Sequence, residues 1–318
     1  MSSEFLNNVK NGKNQFWRYF INIILTFVVG NVVGGIILGI LLSIYLISTG
    51  QLSPEILANM NSYIMGNIVP FLIMTLITFS FTGLLFIIGF KYLHKRKLMS
   101  LINISDKIED LSNVSWIERI KWNNFLKGFI TWIIFCTVLL ILSYLISPQS
   151  YHFNPSIEGI YLIILLLIIC LPIQVSFEEL FFRGYLNQGI SLIIKRPLIV
   201  IIISSAIFSL GHITNGGLEP IMVATNILVT FVVGIILSIY TLQDEGIERA
   251  IGIHLGNNLF AFLIISSEGS VGTFSTLISA KMDPILDLII TLIAYILFLV
   301  GIILYKREKT LKILKPNI

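Results

Sequence analysis

The chain has 318 residues, of which 56% are hydrophobic and only 12% charged, about half the roughly 25% charged content of soluble domains. Mean hydropathy is +0.91 and formal net charge +4. This excludes a water-soluble domain, a disordered chain, a collagen repeat and a disulfide scaffold, and reads as an all-α polytopic membrane protein whose first partner is the lipid bilayer.

A spanning helix needs about 20 apolar residues. The first apolar run, 19–48, is too long for the core of a cleavable leader and lacks a small-residue exit, so it reads as a span. Within it Gly30, Gly34, Gly35 and Gly39 form two overlapping GxxxG patterns. They predict close helix packing and offer a face for a homo-oligomer or another partner. The second span, 66–93, carries Pro70, where a kink is expected. The polar stretch from Lys91 to Lys127 follows. In it Leu101, Ile104, Ile108 and Leu111 share a helical face, with Asp106, Lys107, Glu109 and Asp110 largely opposite, and Trp116 and Trp122 come after. This predicts an amphipathic helix on the cytoplasmic membrane surface. Six further spans are predicted over 127–147, 157–182, 198–214, 220–242, 250–267 and 285–305, about eight in all, with Pro172 interrupting the fourth. Cys136 and Cys170 each lie inside an apolar run and read as small packing residues, with no disulfide framework.

Loop charge sets the expected orientation. With the N-terminus inside, 20 of the 21 Lys and Arg residues fall on the cytoplasmic side and only Lys281 outside. The outer loops then carry Glu55, Glu158, Glu219, Glu268 and Asp283. This positive-inside bias predicts eight spans with both termini cytoplasmic, in a plasma membrane. The basic residues are dispersed between apolar runs, so no nucleic acid partner is expected. Three regions follow: 1–125, two spans plus the cytoplasmic amphipathic linker; 126–305, a transmembrane core; and 306–318, a basic cytoplasmic tail.

Ionisable residues inside a membrane are costly and mark function by default. Here they cluster in the second half of the chain. Glu178 and Glu179 follow a long apolar run, and Arg183 lies one turn on. On a helix Glu179 and Arg183 pair at i,i+4, while Glu178 points about 100° away and stays free to act as a base. A buried Glu–Arg clamp is the structural counter-reading. Phe208 and His212 share a helical face, as do His254 and Asn258. Each alone reads equally as packing or interhelical glue. Their spacing joins them: Glu178 lies 17 residues before Lys195 and His212 lies 17 residues after it. If Lys195-Arg196-Pro197 turns a helical hairpin, both side chains sit at one depth, roughly 25 Å from the turn. His254 is only nine residues past Glu245, about 13 Å by the same rise. The depths agree if the Gly184–Pro197 hairpin end protrudes beyond the membrane.

These residues resemble the CPBP family of intramembrane proteases, also called the Abi or CAAX-protease family, which includes type II CAAX prenyl endopeptidases and bacteriocin-processing or self-immunity proteins. Its ordered motifs EExxxR, FxxxH and HxxxN or HxxxD are matched by Glu178-Glu179-x-x-x-Arg183, Phe208-x-x-x-His212 and His254-x-x-x-Asn258. The resemblance covers residues 157–267 and implies a catalytic set of Glu178, Glu179, His212, His254 and Asn258, supported by Arg183 and Phe208. In it Glu178 acts as general base on a water that His212 positions. His254 and Asn258 stabilise the oxyanion, and Glu179 with Arg183 holds the geometry. The family was named as metalloproteases, and Glu178, His212 and His254 make a zinc-type set with an open position. A metal-free, glutamate-dependent mechanism is the alternative and the one favoured here.

The leading expectation is an intramembrane endopeptidase acting on a membrane-associated peptide or protein. The alternative is a non-proteolytic scaffold or immunity protein that binds another membrane protein. An ion-coupled transporter using Glu178, His212 and His254 as a proton relay ranks third, because the sequence has no internal symmetry. Prenylated CAAX tails, peptide precursors and bacteriocin leaders all fit the family. Richness in Ile, Asn and Lys suggests a bacterial host and a bacterial peptide or membrane-protein substrate.

Overall fold

The computed structural model describes residues 3–107, 114–154, 157, 159–213, 219–267 and 276–314. Six helices are long and apolar enough to cross a membrane: α1 (Phe16–Ser48), α2 (Ile68–His94), α3 (Trp122–Ile146), α4 (Ile160–Ile193), α6 (Pro220–Asp244) and α8 (Pro284–Tyr305). Between them lie the shorter α5 (Pro197–Leu210) and α7 (Glu248–Leu259), and α9 (Arg307–Leu314) follows α8. The chain is an all-α polytopic membrane protein. The predicted spans at 198–214 and 250–267 correspond to α5 and α7, which are not of spanning length by themselves. Beyond α7 the backbone passes through a wide π-type turn, Phe260–Ile264, into a strand.

Large apolar side chains remain exposed along the helices. On α1, Val32, Ile36, Ile40 and Ile44 repeat every fourth residue at 56–59% exposure, a stripe suited to lipid. The opposite face packs on α2. A Cβ at Gly30 would lie 3.0 Å from Thr82, and one at Gly34 would lie 3.4 Å from Thr78. Half of the predicted glycine pattern therefore serves internal packing, while nothing lies within 4 Å of Gly35 or Gly39. Pro70 occupies the first turn of α2, where a missing N–H costs little, rather than a mid-span kink. Helix α4 runs continuously through Pro172. Cys136 and Cys170 are both buried and free.

The linker between α2 and α3 departs from the predicted amphipathic helix. Met99–Ile102 makes a single turn and stops at Asn103, whose backbone is extended. The Asn103 side chain donates to the Arg119 carbonyl at 2.9 Å and to Glu248 Oε1 at 2.5 Å, contacts that a continuous helix would forbid. Leu101 is fully buried rather than membrane-facing, because its carbonyl seats against Gly184 of α4. Ile108, Glu109, Asp110 and Leu111 lie outside the described residues. Trp116 and Trp122 are 66% and 53% exposed.

Two further features hold the bundle. Three short strands, β1 (Tyr151–Phe153), β2 (Ile265–Ser267) and β3 (Ile278–Ala280), order as β1-β3-β2, antiparallel then parallel, and tie the loops after α3, α7 and before α8. At the other end, Glu245 ends α6 in the left-handed region at φ 49°. Its carboxylate accepts from Ser3 Oγ at 2.9 Å and from the backbone of Phe5 at 2.6 Å. Phe5 and Leu6 are thereby fully buried in the core formed by α3, α5, α6, α7 and α8.

Helix α7 crosses α3 through glycine. A Cβ at Gly252 would fall against the Phe125 carbonyl oxygen, and one at Gly256 would lie 3.3 Å from the Phe129 carbonyl. Gly128 on α3 likewise abuts the Arg249 carbonyl. Gly252→Val should therefore destabilise the protein by about 1–3 kcal/mol through overpacking. Gly39→Ala, with open space around it, should not lower the thermal midpoint in detergent.

Candidate active site

Four elements deliver the site: α4, the turn after α5, α6 and α7. Glu178 and Glu179 lie near the middle of α4 and are 5% and 0% exposed. Glu179 Oε1 accepts from Arg183 NH1 at 3.0 Å, the i,i+4 pair the sequence predicted. The same oxygen lies 2.7 Å from His254 Nδ1. Arg183 is 1% exposed, and its guanidinium stacks 4.1 Å above the Phe208 ring. Phe208 also touches both histidines, with centroids 4.4 Å from His212 and 5.8 Å from His254. A phenyl ring at this motif position therefore has a physical reason, since it braces the arginine and both imidazoles at once.

Glu178 is treated differently from Glu179, as the helical wheel requires. Its Oε2 faces His212 Nε2 at 3.5 Å and His254 Nε2 at 3.6 Å. The expected convergence of residues 178, 212 and 254 is therefore realised. It requires the α4–α5 hairpin end to extend past the start of α7. The last turns of α4 before that end are covered, since Asn187, Gln188 and Ser191 are fully buried and Gln188 bonds Arg96 and the Ser100 carbonyl, whereas Ile193, Lys195 and Arg196 at the end itself are exposed.

Hydrogen positions follow from the partners. His212 Nδ1 lies 2.8 Å from the Phe208 carbonyl, which can only accept, so Nδ1 carries the hydrogen. His254 Nδ1 likewise donates to the Glu179 carboxylate. In their neutral forms both rings then present a bare Nε2 to Glu178 Oε2, a buried oxygen without a hydrogen-bond partner among the described residues. Three acceptors around one point call for a shared hydrogen donor or a cation between them.

Sequence reasoning missed three supporting residues. Gln174, one turn before Glu178, donates from Nε2 to Glu178 Oε1 at 3.2 Å. Asn226 on α6 donates from Nδ2 to the His212 carbonyl, and Thr230 Oγ1 donates to Asn226 Oδ1 at 3.3 Å. The i,i+4 spacing of Gln174 was a usable signal; a side chain reaching a backbone carbonyl on another element leaves none. Asn258 sits one turn beyond His254 on α7 and accepts from Asn257 at 3.3 Å.

The two glutamates predict opposite stability effects. Glu179→Ala leaves Arg183 buried and unpaired and should cost about 3–5 kcal/mol. Glu178→Gln keeps the Gln174 contact and should shift the thermal midpoint far less. Glu179→Leu combined with Arg183→Leu should recover much of the loss.

Across nearly its whole length the chain is similar to an uncharacterized protein, YyaK, of Bacillus subtilis (strain 168), at 26% identity over 308 residues, 94% of this chain and 95% of that protein. No solved structure matches. Residues 158–260, which contain all the residues of the three motifs, match a family model, and at family level this supports a membrane endopeptidase of the CAAX type. That family is the type II CAAX prenyl endopeptidase Rce1-like family, within the group that the motifs resemble.

Proposed function

We propose that this chain is a glutamate-dependent intramembrane endopeptidase that hydrolyses a peptide bond of a membrane-associated peptide or protein. One observation carries the reading: Glu178 Oε2, buried and without a hydrogen-bond partner among the described residues, faces the Nε2 atoms of His212 and His254.

A water at that point donates one hydrogen to Glu178 Oε2 and the other to the bare His212 Nε2. Its lone pair is then left for the scissile carbonyl carbon. As the C–O bond forms, Glu178 takes the proton. His254, when doubly protonated, donates to the oxyanion from Nε2, and Asn258 donates beside it. Glu178 then gives its proton to the leaving amine as the C–N bond breaks, which restores the carboxylate. Arg183 and Phe208 keep Glu179 and the two rings in register.

Two imidazole nitrogens and one carboxylate oxygen also fit zinc in kind. Glu178, His212 and His254 would hold such an ion, and it would supply Lewis-acid polarisation of the carbonyl. That use would consume Glu178, because Glu179 is already held by Arg183 and His254. No other carboxylate named in the site would remain to take the water's proton, so the metal-free assignment is preferred.

The membrane arrangement we propose has eight crossings with both ends in the cytoplasm, α5 and α7 being short crossings buried against their neighbours. Substrates would be bacterial peptides or membrane proteins.

The decisive assay uses purified protein reconstituted with membrane-anchored quenched peptides. Glu178→Ala and His212→Ala should each lower kcat at least about 100-fold, and a chelator should leave the wild type active. Chelator-sensitive cleavage would assign the metal mechanism, whereas a folded wild type that cleaves nothing would overturn the peptidase reading. Reporter fusions after residue 314 should report a cytoplasmic C-terminus.

A further inference from the structure

The motif residue Asn258 has an ambivalent side chain. A carboxamide can turn either its oxygen or its NH2 toward a neighbour, and only the NH2 can stabilise an oxyanion. We propose that Trp132 and Asn257 are positioning residues that fix the Asn258 carboxamide with its NH2 free for the reacting centre. The inference rests on the peptidase reading and deepens it.

The argument is one of donors and acceptors. An indole Nε1–H donates and cannot accept. Trp132 Nε1 lies 3.2 Å from Asn257 Oδ1, which fixes which end of that amide faces α3. The NH2 of Asn257 must then point the other way, where it meets Asn258 at 3.3 Å. A donor arriving there needs an acceptor, so Asn258 turns its Oδ1 toward Asn257. Its NH2 is left over, on the helix that carries His254 one turn earlier. The orientation is therefore set by an indole on a helix outside the three motifs.

The anchor is well held. Trp132 is fully buried and packed edge-on against Tyr295 and Phe298 of α8, with centroids 5.5 Å and 5.4 Å away. The glycine-lined crossing of α3 and α7 brings the indole within reach, since Gly256 lies directly against the Trp132 Cβ. A donor fixed before the reaction stabilises developing charge without reorganising, which is where such groups gain their effect.

The test uses the full chain in nanodiscs, with Trp132→Phe, Asn257→Asp, Asn257→Leu and Asn258→Ala variants. Asn257→Asp still accepts from Trp132 but presents a second acceptor to Asn258, which must then turn its NH2 away from the centre. Asn258→Ala should lower kcat about 100-fold or more, and Asn257→Asp should approach that loss. Trp132→Phe should lose about 10–100-fold, the scale of a displaced catalytic group. KM should stay within about twofold, since only transition-state binding is lost. Combining Asn257→Asp with Asn258→Ala should add nothing to Asn258→Ala alone. Wild-type kcat in Asn257→Asp, or losses that multiply, would overturn the proposal.

A second readout is independent of cleavage. With 15N-labelled indole, Asn257→Leu should move the Trp132 N–H resonance upfield and speed its hydrogen exchange. With 15N-labelled asparagine side chains, Asn257→Asp should shift the Asn258 carboxamide protons. Unchanged resonances would overturn the relay even if the wild type cleaves; shifted resonances in a wild type that cleaves nothing would sink only the peptidase reading.

Discussion

One carboxylate oxygen organises this molecule. Glu179 Oε1 is shared by Arg183 of its own helix and His254 of α7. Both partners are nearly inaccessible to solvent, so each depends on the Glu179 carboxylate being present. The shared oxygen fixes the rotation of α4, and that rotation turns Glu178 toward the two Nε2 atoms. It also fixes the tautomer of His254. Removing either partner would therefore change both the stability of the core and the geometry of the site.

Bringing a polar helix to that carboxylate is a packing problem. Helix α7 carries Glu248, Arg249, His254, Asn257 and Asn258, too many polar groups to face lipid. The structure buries it by close approach: the glycines of α3 and α7 remove the side chains that would hold them apart, and carbonyls fill the space. At its start, Glu248 accepts from Asn103 and from the backbone N–H of Lys121, so the linker before α3 is pinned to the start of the helix.

Most of the site was legible because its logic is periodic. The i,i+4 rule pairs Glu179 with Arg183, and the 17-residue symmetry about Lys195 brings Glu178 to His212. Six of the predicted spans appear as long apolar helices for the same reason. What failed to show in the sequence has no period. Asn103 ends a helix through contacts to residues 16 and 145 positions away. Asn226 reaches a backbone carbonyl on another element, and the three strands pair only three residues each. Hydrophobic periodicity also could not say that His212 lies in the turn just after Leu210, or that α7 gives way to a strand at Ile265.

The clasp of Glu245 on the first turn of the chain carries a consequence for biosynthesis. Ser3, Glu4 and Phe5 donate to a carboxylate that lies some 240 positions later, and Phe5 and Leu6 belong to the same buried core as Ile239, Leu242 and Ile247. Residues 3–6 must therefore wait for nearly the whole of the helical core to be synthesised before they have a seat. At roughly 5–20 residues per second this wait is about 12–50 s. For that interval two large apolar side chains lack their native core, and an element synthesised early becomes one of the last to dock.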